Sequence, residues 1–323
     1  MGTVYIDRRG TRLEFDRGAV VVREPDANPS SVPLSHIERL VVVGNAQLSS
    51  HLLTRLAQNG STVTLIPARG ARRSAFLQNH AHGDVARRIG QFRLATDEAL
   101  QAHWAKRLVL IRVAGQRRLL RSALHSRADL RHPLIVALRD LEAARQALYT
   151  SHRTIQEIRG CEGAATAAFF RGYRHLFAAS LGFTKRNRRP PKDPVNAALS
   201  LAYTLIHADA LRAITRTGLE PMIGVLHQPT FGRDSLACDL TEVARARAER
   251  LVWRLFAEQI LDQNSFTKAQ DAVLLGKAGR SLFFRAYEGS ASMHRRWLIR
   301  IAQGFAGECQ TLSKGTALPL EGS

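Results

Sequence analysis

Acidic residues are scarce in this sequence. It contains 27 Asp and Glu against 47 Lys and Arg, and its formal net charge is +20 over 323 residues. A coding bias toward arginine would account for arginine in place of lysine, but not for the shortage of carboxylates. A chain this basic is expected to bind a polyanion, with nucleic acid as the first candidate and a membrane surface or an acidic protein as the alternatives.

Cysteines and long apolar runs are also few. Cys161, Cys238 and Cys309 form no CxxC pair, which argues against a disulfide framework or a zinc ribbon and favours a reducing compartment. The first ten residues carry charge where a signal peptide needs an apolar run. The most apolar segment, 195–206, is too short to span a bilayer. We therefore expect a cytoplasmic protein without a membrane segment.

The hydrophobic pattern predicts two domains and an α+β fold. Short β-prone runs lie at residues 4–6, 12–15, 19–22, 37–43 and 62–66. A helix with Leu48, Leu52 and Leu56 at i,i+4 spacing precedes the last of these runs, and helical periodicity dominates after Gly83. We expect a small N-terminal β domain with one helix over 1–80, joined to a larger all-α C-terminal catalytic domain over 81–312. A flexible tail is expected over 313–323.

Four polar side chains form a candidate metal-binding set: Glu162, His227, Asp239 and Glu242. Asp239 and Glu242 are spaced i,i+3, so on a helix they share a face and repel each other unless a cation or a proton lies between them. One imidazole with two or three carboxylates suits Mn²⁺ or Mg²⁺, and the imidazole favours Mn²⁺. Zinc fits less well, because the sequence has no thiolate pair and no HExxH motif.

Each of these four residues also has an ordinary structural interpretation. Glu162 lies among small residues in RGCEGAA and is compatible with an exposed helical turn. A single histidine such as His227, after an apolar run, is more often a hydrogen-bonded core residue than a ligand. Asp239 and Glu242 are equally compatible with an acidic face at the start of a helix. The metal hypothesis therefore depends on the combination.

Two basic regions are candidates for phosphate contact. The segment KRNRR, which contributes Lys185, Arg186, Arg188 and Arg189, precedes a Pro-Pro pair and is predicted to be a loop. A second series, which begins at Arg87 and Arg88 and continues to residue 121, lies on predicted helices, where part of it is ordinary solvated surface. Asp193 and Pro194 after the first region predict a helix that continues to about Arg216.

The blocks RGCEGAA, PPKDPVNAALSLAYTLI and GRDSLACDLTE, in this order, resemble the CRISPR-associated spacer-acquisition integrases, the "Cas one" family, and the resemblance covers nearly the whole chain. It implies that Glu162, His227 and Glu242 are metal ligands and that Asp239 is an accessory acid. His227 acting as a general base is the alternative to its role as a ligand. By the same resemblance, Asn196, Ser200 and Tyr203 support the ligands or face DNA, and Arg233 and Arg245 are assigned to DNA contact.

The resemblance also implies an activity and a set of partners. The implied reaction is transesterification, in which the 3′-hydroxyl of a captured prespacer attacks a phosphodiester at the edge of a CRISPR repeat, with nuclease activity as the hydrolytic counterpart. Homodimerisation through the β domain is implied, as is a small dimeric "Cas two" partner that completes a heterohexamer on double-stranded DNA.

Some residues depart from the family's pattern. Asp84 stands where Asn is common, and Ala244 and Ala246 flank Arg245 where Phe and Pro are usual, so the subtype stays open. A transposon-borne integrase of the same fold and a catalytically inactive DNA-binding scaffold are the alternative functions.

Overall fold

The structure is a computed structural model, and it describes residues 2–67, 74–77, 82–149, 154–187, 190–269 and 272–315. Two of the predicted DNA-contacting residues, Arg188 and Arg189, lie outside this range, as does most of the predicted tail. No helix in the described segments is both long and apolar enough to cross a bilayer.

The N-terminal part is rich in β-strands and contains one helix, as predicted, and its strands form two four-stranded sheets. Leu48, which was predicted to lie in the helix, lies in a short strand before it. The strands are β1 (Gly2–Ile6), β2 (Arg12–Asp16), β3 (Ala19–Arg23), β4 (Ser30–Pro33), β5 (Ile37–Val43), β6 (Gln47–Leu48), β7 (Thr62–Ile66) and β8 (Ala75–Leu77). The first sheet has the order β1-β5-β7-β8 and the second has the order β4-β3-β2-β6. Helix α1 (Ser50–Gln58) begins where Ser49 accepts a hydrogen bond from the Leu52 amide, and its Leu52 and Leu56 are fully buried between strands.

The C-terminal part is mainly helical. Its helices are α2 (Val85–Thr96), α3 (Glu98–Ser126), α4 (Arg131–Ala147), α5 (Ile155–Tyr173), α6 (Pro194–Arg216), α7 (Ser235–Ala257) and α8 (Lys277–Ser313). One short antiparallel hairpin, β9 (Phe266–Ala269) with β10 (Ala272–Leu275), interrupts them. This part is therefore mainly α and not all α, contrary to the prediction. The apolar run of β10, Ala-Val-Leu-Leu, cannot be distinguished from a buried helical segment by periodicity alone. Helix α8 continues to Ser313, the first residue of the predicted tail, and most of that tail lies outside the described residues.

Two helix starts that orient the functional region follow from local sequence. Asp193 accepts a hydrogen bond from the Asn196 amide at 2.8 Å and Pro194 occupies the first turn, which confirms the predicted start of α6. Thr154 and Glu157 form a capping box at the start of α5. These caps fix the residues at which α5 and α6 begin, and therefore the positions of the functional side chains along each helix.

A buried polar cluster joins the β part to the helices. The Asp209 carboxylate on α6 receives hydrogen bonds from Arg295 at 2.9 Å and from the Tyr287 hydroxyl at 2.8 Å, and Arg39 of β5 lies 3.2 Å away. Tyr5 of β1 stacks on Phe284 of α8 with ring centroids 4.2 Å apart. These contacts connect the first sheet to the helices α6 and α8.

Candidate metal and nucleic-acid site

The carboxylates of Glu162 and Glu242 meet on one guanidinium. Glu162 lies on α5, Glu242 on α7 and Arg112 on α3, and Nη1 of Arg112 pairs with Oε1 of Glu162 and with Oε2 of Glu242. The Arg112 side chain is almost completely buried. Crowded carboxylates require a positive group between them, and here the Arg112 guanidinium supplies it. The sequence interpretation had counted Arg112 among the arginines of the DNA-binding series.

Each carboxylate also contacts a residue one turn along its own helix. Thr166, one turn along α5, donates its hydroxyl to Oε1 of Glu162 at 2.9 Å. Arg245, one turn along α7, lies 3.0 Å from Oε1 of Glu242. The two acids are therefore held from both sides, and two arginines offset their negative charge.

His227 is oriented by a carboxylate. Its Nδ1 atom lies 2.6 Å from Oδ1 of Asp239, and this contact fixes the ring so that Nε2 remains available for another partner. A carboxylate next to Nδ1 favours the tautomer with the proton on that nitrogen, because the carboxylate accepts it as a hydrogen bond.

Asp239 is committed to this segment of backbone. It is fully buried, and its oxygens accept hydrogen bonds from the amides of Val225 at 2.7 Å, Leu226 at 3.1 Å and His227 at 2.9 Å. With the imidazole, this makes four donors around one carboxylate. Gly224 completes the arrangement, because a Cβ at that position would lie 2.7 Å from Oδ2 of Asp239. Asp239 therefore positions His227 and its loop.

The predicted polar stripe on α6 faces inward. Asn196 is buried and accepts hydrogen bonds from Arg186 at 2.8 Å and from the Asn187 amide at 3.0 Å. Ser200 accepts a second hydrogen bond from Arg186, at 3.1 Å. Asn196 and Ser200 therefore hold the basic loop against α6 by accepting hydrogen bonds from the Arg186 guanidinium.

Tyr203 connects that loop with the acids. The guanidinium groups of Arg186 and Arg245 lie 5.3 Å and 4.8 Å from the centroid of its ring. Its hydroxyl donates to Oε1 of Glu249 at 2.8 Å. Burial raises the pKa of the Glu249 carboxyl, and the charge of Arg112 and the hydrogen bond from Tyr203 only partly offset this rise. Glu249 is a buried acid that the sequence interpretation missed, because its neighbours in RARAERL are charged and are typical of a solvated helix surface.

Several predicted DNA-contacting arginines have internal partners. Arg87 donates to the Thr217 carbonyl at 2.9 Å, Arg88 donates to the His82 carbonyl at 3.0 Å, and Arg233 donates to the Gln228 carbonyl. Lys185 is exposed in the basic loop.

A different group of arginines is left without acids. Arg118 of α3 and Arg247 and Arg250 of α7 form no ion pair with a carboxylate in the portion of the chain that the structure describes. Partial burial and the charge of Arg118 lower the pKa of both α7 arginines. Arg247 lies over the Trp297 ring at 4.9 Å. We call these three residues the open arginine cluster, and it is available to an anion.

The side chains at the site determine whether a divalent ion fits there. Among the described residues, no three His, Cys, Asp or Glu side chains lie close enough together to form a metal-binding group. The structure brings Glu162 and Glu242 together on Arg112, whereas His227 contacts Asp239 and does not form such a group with the two acids. The donor chemistry fits: an imidazole nitrogen and two carboxylates suit Mn²⁺ or Mg²⁺, and the point between the acids already holds a positive group.

Comparison with known proteins gives a consistent set of relatives. A family sequence model described as CRISPR associated protein Cas1 matches residues 4–289. The curated relative CRISPR-associated endonuclease Cas1 1 from Thermodesulfovibrio yellowstonii is 34% identical over 95% of this chain and 96% of its own length.

Solved structures share the fold at lower identity. A CAS1 protein from Thermotoga maritima superimposes with a TM-score of 0.83 at 20% identity, over 100% of this chain and 99% of that chain. A casposase bound to integration product gives 0.81 at 15% identity, over 95% and 91% of the two chains. A chain of a Cas6-RT-Cas1–Cas2 complex gives 0.80 at 20% identity, over 99% of this chain and 36% of that chain.

Proposed function

Because the chain belongs to the CRISPR-associated Cas1 family, we propose that it is a metal-dependent DNA endonuclease and integrase of CRISPR adaptation. The proposed reaction is transesterification from a prespacer 3′-hydroxyl into the repeat, with hydrolysis as the related nuclease reaction. The relative with 34% identity is named an endonuclease.

The observation that carries the proposal is that Glu162 and Glu242 converge on the guanidinium of Arg112, inside a chain with a net charge of +20. Two carboxylates from separate helices are brought together only at an energetic cost, because Glu242 is buried, Glu162 is partly buried and both carry the same charge. A functional site for a cation beside a polyanion explains why the fold maintains this arrangement.

Each residue has a distinct role in the proposed chemistry. Glu162, Glu242 and Nε2 of His227 would hold Mn²⁺ or Mg²⁺. When bound, this ion would sharpen the hydroxyl nucleophile and neutralise the negative charge that develops on the phosphate. Asp239 keeps the His227 ring in one tautomer and orientation. His227 acting as a general base remains the alternative. No covalent enzyme intermediate is required, because the DNA hydroxyl is the nucleophile.

The proposed partners follow from the family. We expect double-stranded DNA as substrate, a second copy of this chain bound through the β part, and a small dimeric Cas2 protein that bridges two such dimers. The Cas6-RT-Cas1–Cas2 complex contains a chain of the same fold. We expect the assembly to operate in the cytoplasm.

The transposon-borne alternative shares this fold. The similarity to the casposase, at 15% identity, concerns fold alone, whereas the curated relative that covers 95% of the chain carries a CRISPR name. An inactive scaffold is disfavoured because the acids, the histidine and its supporting carboxylate are all present.

The test is a joining assay. Purified protein with Mn²⁺, with and without a Cas2 partner, is incubated with a labelled oligonucleotide bearing a 3′-hydroxyl and a plasmid that contains CRISPR repeats. Glu162→Ala and His227→Ala should each abolish joining while DNA binding persists. Asp140→Ala, which removes a partly exposed acid paired with Arg139 and Arg171, is the matched control and should join normally. Joining at the parent rate by both site variants would refute the assignment.

A further inference from the structure

Phe231 is the most exposed large apolar side chain in the described residues. Its relative exposure is 101%, whereas the other exposed large apolar side chains lie between 37% and 59%. A single exposed apolar residue is ordinary on a protein surface. The rigidity and position of its loop set Phe231 apart.

The loop that carries Phe231 is a hydrogen-bonded turn. The Arg233 amide donates to the Thr230 carbonyl at 3.0 Å, which closes a four-residue turn with Phe231 at its second position. Gly232 at the third position has φ +66°, the left-handed conformation that a type II turn requires there. Phe231 therefore occupies the tip of a defined turn.

The two ends of this loop are fastened together. The Arg233 guanidinium and the Ser235 hydroxyl both donate to the Gln228 carbonyl, the latter at 3.1 Å, and Arg233 also donates to Ser235 at 3.3 Å. These contacts limit the conformational freedom of the loop, so a ligand that contacts the Phe231 ring pays little additional ordering entropy.

The loop lies beside the candidate site. Phe231 follows His227 by four residues, so their Cα atoms are at most about 14 Å apart, or roughly four base-pair rises of B-form DNA. The same loop leads directly into α7, which carries Asp239 and Glu242. A nucleic-acid strand whose phosphodiester lies at the site therefore has neighbouring nucleotides within reach of the ring.

We propose that Phe231 stacks on a base of the DNA strand held at the site and thereby sets which nucleotide is positioned for reaction. This inference rests on the proposed function. An aromatic face binds any base, because every base has a π-face, and its contribution is largest for an unpaired base at a strand end or fork. The ring would act on binding and register, while Glu162, His227 and Glu242 act on the reacting phosphate.

The test uses three substitutions at one position. Phe231→Ala removes the ring, Phe231→Leu keeps apolar area without a π-face, and Phe231→Trp keeps the π-face. The probe is an oligonucleotide with 2-aminopurine near its 3′ end, because the fluorescence of this base is quenched when it stacks. KM and kcat for joining are measured with the same oligonucleotide.

We expect Phe231→Ala to relieve the quenching and to raise KM about tenfold, with a much smaller change in kcat. Phe231→Trp should restore both values, and Phe231→Leu should restore neither. Phe92→Ala is the matched control, because Phe92 is another exposed phenylalanine (56%) on α2 and its loss should change neither value. Unaltered melting temperatures would establish that the variants are folded.

Three results would overturn the proposal. The first is parental quenching and KM in Phe231→Ala, and the second is rescue by Phe231→Leu. The third is a variant in which only the mass of the assembled protein complex decreases, which would assign the ring to a contact with a protein partner. The quenching titration needs no catalysis. Failure of the parent protein to join DNA would therefore count against the proposed function, and equal quenching by the parent and Phe231→Ala would count against this inference.

Discussion

The Nδ1 atom of His227 lies 2.6 Å from Oδ1 of Asp239, and the same carboxylate binds three consecutive backbone amides that end at His227 itself. The ring and the backbone of His227 are thus oriented by one buried side chain from α7. Since Asp239 and Glu242 are one turn apart on that helix, any shift of α7 moves the histidine support and one of the acids together.

Asp239→Asn should impair the site even though the two side chains are nearly equal in size. One of the two oxygens becomes an amide NH₂ group, which cannot accept the hydrogen bonds that the carboxylate now accepts. We expect a loss of about 10- to 100-fold in Mn²⁺ affinity or joining rate, and about 1–3 kcal/mol of stability. Isothermal titration with Mn²⁺ and urea unfolding measure the two effects. Parental affinity in a folded variant would contradict the supporting role.

Gly224→Ala should disturb the same support from the opposite side. The new Cβ would lie 2.7 Å from Oδ2 of Asp239 and 2.8 Å from the His227 carbonyl oxygen, so one of them must shift. We expect a loss of stability of about 1–3 kcal/mol together with reduced joining. Gly289→Ala on α8 is the control, since its Cβ meets nothing within 4 Å, and it should gain about 0.5–1 kcal/mol. Urea unfolding of both variants tests this, and equal stabilities would refute it.

The open arginine cluster should contribute to DNA binding through phosphates. Replacing Arg118, Arg247 and Arg250 with glutamine should reduce the magnitude of the slope of log K against log salt by up to about 2.7, at roughly 0.9 for each phosphate contact. The control replaces Arg127, Arg139 and Arg171, which pair with aspartates, and so makes the same charge change elsewhere. Equal slopes for both triple variants would show that only net charge matters.

Asp209 should make the protein more sensitive to acid. Burial alone would raise its pKa, but the hydrogen bond with His294 and the charges of Arg295 and Arg39 outweigh burial and hold the pKa at about 2. Because the folded pKa lies below the unfolded value of about 3.9, this stabilisation is complete above pH 4 and is lost as the pH falls toward 2. The pH-dependent contribution of Asp209 to the free energy of unfolding is on the order of 2 kcal/mol.

Asp209→Asn should therefore lower stability at pH 6 but lose less on further acidification than the parent protein does. Urea unfolding at pH 6, 4 and 2.5 measures the two slopes. An identical pH dependence in parent and variant would mean that Asp209 is not the responsible group.

The fold was largely predictable because its elements carry local signals. Asp193 and Pro194 indicate the start of α6, and Leu52 and Leu56 indicate a helix in the β part, although Leu48 belongs to β6 and not to α1. The β9–β10 hairpin was missed because the apolar run of β10 resembles a buried helical segment among the helices around it.

The site was predictable in its acids and histidine through the resemblance of whole sequence blocks. The position of Arg112 was not predictable, because it looks like its arginine neighbours on α3 and differs from them only in burial. That burial is produced by the packing of α5 and α7, which are distant in sequence. The exposure of Phe231 at a turn tip is likewise a property of the folded loop.

Diffraction from crystals grown with Mn²⁺, recorded at the manganese absorption edge, tests the central claim most directly. The account predicts an anomalous peak at about 2.0–2.3 Å from the Glu162 and Glu242 carboxylates and Nε2 of His227, with the Arg112 guanidinium moved off the acids. A manganese peak elsewhere, or none while both acids remain on Arg112, would contradict the assignment of these three residues as metal ligands.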